Sequence, residues 1–215
     1  MTRSPTLEIP RLRGRLHQAA FWVSIPAGLS VVALARTEAA RAAVMVYALS
    51  LSGLYAASAA YHRVRWSPEM WLWMRRLDHS MIFLFIAGSY TPVALLALRP
   101  PWSTRVLATV WVGAVIGIAL KLFVRGWAAL AQVLYMTLGW LAIFIVPQLI
   151  ATMSGLEIGL LFGGGVLYTA GAIVFGLQRP NPIPQVFGFH EVWHAMVISG
   201  SLCHYILILL ILMEA

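Results

Sequence analysis

Carboxylates are scarce in this chain. Seven Asp and Glu stand among 215 residues, and all charged types together make up 10% of them. An average soluble domain is about a quarter charged, so a water-soluble fold of this length would lack the charge to cover its surface. That scarcity makes lipid the solvent for most of the chain. Cysteine is nearly missing too, and the single Cys203 excludes an intramolecular disulfide framework. No small-residue cleavage site follows the first apolar run, so that run is expected to be retained as a helix and not removed as a signal peptide. Nothing reads as a soluble domain or as an internal repeat.

What is abundant is apolar: hydrophobic residues make up 61% of the chain. A helix needs roughly 20 of them to cross a bilayer, and a backbone in lipid must satisfy its own hydrogen bonds. Apolar runs at 18–35, 42–62, 79–98, 104–124, 127–149, 157–177 and 190–213 predict seven spans. Turn and charge signals separate them, among them Arg36-Thr37-Glu38, Arg99-Pro100-Pro101, Arg125-Gly126 and Gln178-Arg179-Pro180. The expected architecture is all-α: a cytoplasmic tail over 1–17 and one seven-helix transmembrane domain over 18–213, in the cell membrane. Ser67-Pro68-Glu69 carries an N-cap, an N1 proline and an early acid, predicting a short interfacial helix that presents Met70, Trp71, Trp73 and Met74. Nine tryptophans suit the membrane–water boundary. The glycines of the sixth span predict close helix packing.

The net charge of +8 does not point to nucleic acid, because the basic residues fall singly or in pairs between apolar runs. They encode orientation instead. Arg3, Arg11, Arg13, Arg15, Arg63, Arg65, Arg75, Arg76, Lys121, Arg125 and Arg179 lie on the side of the N-terminus, and only Arg36, Arg41, Arg99 and Arg105 on the other. The N-terminus is therefore expected in the cytoplasm and the C-terminus outside.

This topology uses no histidine, yet it sets five of the six near the inner face: His17, His62, His79, His190 and His194. His204 falls about 15 Å deeper along the seventh span. Ionisable groups in spans are costly and each calls for a functional hypothesis. Ser58 and His62 are four residues apart and share a helix face, as do His190 and His194. Two imidazoles at that spacing are one helix's way of supplying two metal ligands. With His62 they would make three neutral nitrogen ligands and leave a fourth position open, the pattern of catalytic zinc. Asp78 would accept a proton from a water there or orient it, and Ser58 would hold the same water or a substrate oxygen. His17 and His79 read as hydrogen-bonding anchors, while for His204 packing and hydrogen bonding stand beside a functional role. His190-Glu191-Val192-Trp193-His194 also matches the H-E-x-x-H zinc-protease motif literally. The longer pattern fails, because Val197 stands where glycine is required. Glu191 is expected to face water at its helix start.

Three stretches, Ser58-Ala59-Ala60-Tyr61-His62, Leu77-Asp78-His79-Ser80 with Ala87-Gly88-Ser89-Tyr90-Thr91-Pro92, and His190-Glu191-Val192-Trp193-His194 with His204, resemble the hemolysin III family. This is the bacterial branch of the progestin and adipoQ receptor superfamily, and the resemblance covers essentially the whole chain. It implies seven helices with a cytoplasmic N-terminus and zinc held at His62, His190 and His194, with Asp78 and Ser58 beside it. It also implies membership of a group of membrane hydrolases that includes ceramidases. Four functions follow as expectations. The first is zinc-dependent hydrolysis of a lipid amide or ester, with the acyl chain in the bundle interior. The second is a non-enzymatic receptor or regulator of membrane homeostasis with structural zinc. The others are a cytolysin and an intramembrane metalloprotease.

Overall fold

The computed structural model describes residues 10–124 and 128–214; Arg3, most of the expected tail and the Arg125-Gly126 break lie outside them. Among the described residues there are eight α-helices: α1 (Arg15–Leu34), α2 (Glu38–Arg63), α3 (Pro68–Pro92), α4 (Trp102–Phe123), α5 (Ala128–Gly139), α6 (Val146–Thr152), α7 (Gly155–Leu177) and α8 (Phe189–Glu214). α5, a 3₁₀ stretch over Leu141–Ile145 and α6 together make one crossing, so seven helical segments are long and apolar enough to span a membrane. Large apolar side chains such as Trp22, Leu29, Phe123 and Phe144 stand exposed on the outside, as expected where lipid replaces water. This is a multi-pass membrane protein.

Proline explains both irregular turns. Pro147 opens α6 and has no N–H to continue the ladder from α5, so the chain tightens into the 3₁₀ stretch before it. Pro92 likewise sits inside α3, and a π-helical turn over Val93–Ala97 follows it. A break at membrane depth frees backbone groups that lipid cannot satisfy. Tyr90 supplies the partner: its hydroxyl donates to the Gly139 carbonyl at 3.0 Å and accepts from the Ala142 N–H at 3.0 Å.

The expected separate interfacial helix is absent. Ser67 does cap a helix there, accepting from the Met70 N–H, but the helix runs on unbroken as α3. With its π turn the segment covers Pro68–Ala97, about 45 Å at 1.5 Å per residue, against a hydrocarbon core of about 30 Å. Its first turns therefore stand in the headgroup region, where Arg75 and Arg76 lie over Trp71 and Trp73. Arg76 also donates to the Leu122 carbonyl near the end of α4.

Two apolar clusters form the interior, one joining α3, α4, α5 and α7 with α8, the other joining α1, α2 and α3 with α8. Packing glycines account for only part of α7. A Cβ on Gly164 would meet the His204 ring and one on Gly171 would meet Trp193, whereas Gly159, Gly163 and Gly176 face open space.

At the mouth of the bundle the chain before α1 lies across the start of α8. The N–H groups of Arg11 and Leu12 donate to the Gln185 and Val186 carbonyls. Arg13 Nε donates to Glu191 Oε1 at 2.6 Å, and Glu191 is fully buried. Glu191 Oε2 accepts the Gly188 N–H at 2.9 Å. The expectation that Glu191 faces water is thus overturned: the strap over residues 10–14 covers it. Gly14 permits the fit, with a φ of 76° and no room for a side chain, since a Cβ there would stand 2.6 Å from His62 Cβ.

Tyr90→Phe is expected to leave two backbone groups unpaired at once and to destabilise the protein by about 1–3 kcal/mol, read by titrating purified protein with sodium dodecyl sulfate. Glu191→Ala should cost about 2 kcal/mol through the lost charge-assisted bonds. Combining it with Arg13→Ala should cost clearly less than the sum of the single changes.

Candidate metal centre

Two helix ends create the site. His62 is the last residue but one of α2, and His190 and His194 occupy the first two turns of α8. The i, i+4 spacing stacks the two α8 imidazoles on one face, and the strap holds that face against α2. One ring nitrogen from each of the three histidines lies within 4.8 Å of the others. His62 Nε2 and His190 Nε2 stand 3.1 Å apart. His190 and His194 are buried and His62 half-buried.

Does this donor set fit a metal ion? Two nitrogens about 2.0–2.1 Å from a common tetrahedral ion would be roughly 3.3 Å apart, close to the separation seen between His62 and His190. Three imidazoles and no thiolate suit zinc, and also copper, iron or nickel. His194 Nδ1 is buried with no hydrogen-bond partner, so its ring is not held for an internal purpose. Charge is balanced before any ion arrives, because the nearby Arg13 guanidinium is paired with Glu191. The residues fit.

Asp78 and Ser58 are brought to the same end. Both are buried, and both line a cavity that His17 also lines. His17 connects that wall to the histidine cluster: its ring stacks on His194 with centroids 3.8 Å apart and planes 5° from parallel. From this end the cavity runs into the bundle between α3, α5, α7 and α8, through apolar residues such as Leu54, Ile82, Phe85 and Leu161, to Leu207 and Ile208.

The remaining histidines divide. His79 is the anchor expected of it, with Nδ1 2.7 Å from the Arg75 carbonyl oxygen one turn back. His204 both bonds and packs, its Nε2 3.2 Å from the Leu161 carbonyl oxygen and its ring against Tyr168. His17 stacks on His194, and its two buried ring nitrogens make no hydrogen bond of ordinary geometry. The Glu of the H-E-x-x-H match is committed to Arg13 and to the Gly188 N–H, so that carboxylate is not free to act as the base of a metalloprotease. Sequence reasoning missed Arg13 as the partner of Glu191 and His17 as a wall residue. Both depend on contacts between α8 and the strap or α1, across more than 170 positions of sequence, where no spacing rule reaches.

The chain is similar to known proteins over most of its length. The profile of the family described as Haemolysin-III related matches residues 6–205. Hemolysin-3 of Bacillus cereus is 36% identical over 183 residues, covering 83% of this chain and 80% of that protein. The Hemolysin-3 homolog of Bacillus subtilis (strain 168) is 33% identical over 165 residues, or 76% and 74% of the two chains. The human monocyte to macrophage differentiation factor is 26% identical over 170 residues, covering 74% of this chain and 66% of its own. Seven membrane-spanning segments, a histidine cluster at one mouth of the bundle and this extent of similarity place the chain in the hemolysin III family.

Proposed function

We propose that this chain is a zinc-dependent membrane hydrolase, ceramidase-like, which cleaves a lipid amide or ester at a site facing the cytoplasm. The observation that carries the reading is a juxtaposition: three converging imidazoles stand one stacked ring, that of His17, from a largely apolar cavity that Asp78 and Ser58 also line. A structural ion alone would need the imidazoles but neither the cavity nor Asp78.

His62, His190 and His194 would hold the ion. Bound there, zinc would polarise a substrate carbonyl and promote the ionisation of a water molecule. Asp78 would take the proton of the attacking water and deliver it to the departing amine or alcohol. Ser58, beside that carboxyl, would fix its orientation. The apolar wall from Leu54 to Ile208 would hold the acyl chain, so that membrane lipid is both the solvent and the source of substrate. A positive-inside count that puts His62 and the strap on the cytoplasmic side supports opening toward that face.

Purified protein is expected to carry about one zinc per chain by elemental analysis, and His190→Ala combined with His194→Ala should abolish it. Asp78→Ala should keep the metal and slow hydrolysis of an N-acylsphingosine or a glycerolipid ester by about 10²–10⁴-fold, as for loss of a general base. Tightly held zinc with no turnover of either lipid would replace this reading with a receptor or regulator that uses the ion to tie α2 to α8. The name of the Bacillus cereus relative makes lysis worth measuring: erythrocyte lysis independent of the three histidines would replace the reading with a cytolysin.

A further inference from the structure

Arg75, Arg76 and Lys121 gather at the inner ends of α3 and α4, and no carboxylate answers them. Among the described residues the ion pairs join Arg13 to Glu191, Arg41 to Glu38 and His79 to Asp78, so none of these three cations takes part in one. Arg75 acts electrostatically on Lys121, and both act on the His79 ring. Like charges held close together repel, at a cost that grows as water is excluded. A cluster of this kind calls for an anion from outside the chain.

The cations are held in place by the two helices. Phe83 occupies the space that a side chain at Gly117 would need, which brings α3 and α4 close together. Nearer their inner ends Arg76 donates to the Leu122 carbonyl at 3.1 Å, and Lys121 is the residue before that carbonyl. The guanidinium groups of Arg75 and Arg76 lie over Trp71 and Trp73, 5.7 and 4.9 Å from the ring centroids. Both indoles are exposed. Tryptophan favours the headgroup level of a membrane, so the cations stand at the depth of the lipid phosphates. Deeper in the membrane the outer faces of α3 and α4 are apolar and exposed, as at Leu77, Val112 and Ile116.

We propose that the inner end of the α3–α4 pair is a binding site for an anionic phospholipid of the inner leaflet. Arg75 and Lys121 hold its phosphate from two helices, and Arg76, which spends one N–H on α4, lends its remaining donors. The chains of the lipid lie along the apolar outer faces below. A guanidinium matches the oxygens of a phosphate in shape as well as charge, and basic pockets between helices on this side of a membrane take such headgroups. Basic residues set orientation wherever they fall on the inner side, but these are also fixed across two helices and lie over exposed indoles. The site stands apart from His62, His190 and His194 and does not depend on any lipid being hydrolysed.

The test is native mass spectrometry of purified protein in detergent with equal amounts of phosphatidylglycerol and phosphatidylcholine. Wild type is compared with Arg75→Gln combined with Lys121→Gln. The control, Arg65→Gln combined with Arg179→Gln, removes the same charge from exposed positions elsewhere on the inner side. Wild type should retain phosphatidylglycerol in preference to phosphatidylcholine. The first double variant should retain it about tenfold less, while the control keeps the wild-type preference. An equal loss in both double variants would show a diffuse field and overturn the site, as would full retention by the first or no preference in wild type. If the first double variant fails to fold, Lys121→Gln alone should lower retention severalfold and Lys121→Arg should preserve it. Unchanged retention in Lys121→Gln would overturn the site. Glycerol phosphate in large excess should leave the bound lipid in place, and its displacement would replace the lipid with a free anion.

Discussion

Lipid offers no hydrogen bonds, and most of this structure follows from that. A backbone N–H or carbonyl at membrane depth needs a partner within the chain, so the spans are helices and their breaks occur only where something else supplies the missing partner. Pro147 and Pro92 disturb the ladder. Tyr90 repairs one disturbance by bonding both the end of α5 and the 3₁₀ stretch that follows it. Ser and Thr hydroxyls elsewhere turn back onto their own helices, as Thr91 does to the Ala87 carbonyl and Ser50 to that of Tyr47. Side chains that cannot satisfy themselves stand out against this background.

The histidines at the mouth of the bundle are the concentrated exception. Five of the chain's six imidazoles lie within the first turns of α1 and α8, at the end of α2 or on α3, and the orphaned nitrogens of His17 and His194 belong to this group. Tyr47, Ser80, Tyr168 and His204 also hold buried polar atoms without a partner, but only at the mouth do such atoms stand beside three converging imidazoles, which is what supports the proposed metal there. The paired charges nearby stand in contrast. Arg13 and Glu191 neutralise each other and consume the carboxylate that the H-E-x-x-H pattern offers. Asp78 is the buried carboxyl that remains beside the cavity. The ion pair serves the site by closing the strap over α8, which holds the face bearing His190 and His194 against α2.

Much of this was legible in the amino-acid order, and the reason is that the legible parts are local. Seven spans follow from run length because the bilayer sets a length that each run must meet. His190 and His194 share a face because 3.6 residues make a turn, and Ser58 and His62 share theirs for the same reason. The depth at which each span ends sets the three clustered imidazoles at one level of the bundle. Where a local signal is ambiguous, more than one structure satisfies it. The cap at Ser67 says that a helix starts and not where it stops, and α3 runs from it through the interface into the span. Glycine permits close packing without requiring it, and in α7 only Gly164 and Gly171, which face α8, pack closely.

Contacts between distant segments were out of reach. Glu191 carries a local reading, an acid at a helix start that water and the helix dipole both welcome, and the strap overrides it by burying the carboxylate against Arg13. His17 also carries a local reading, that of an interfacial hydrogen-bonding anchor, and the turn at Gly14 ends α1 before the carbonyl four residues back that His79 uses in its own helix. Both differences have one origin: the segment before α1 is not a free tail but lies over the start of α8. Once that segment is a strap, Glu191 must be buried, Gly14 must be glycine to pass His62, and His17 must sit inside the mouth of the cavity. The strap is therefore the element that turns two helix ends bearing histidines into an enclosed site.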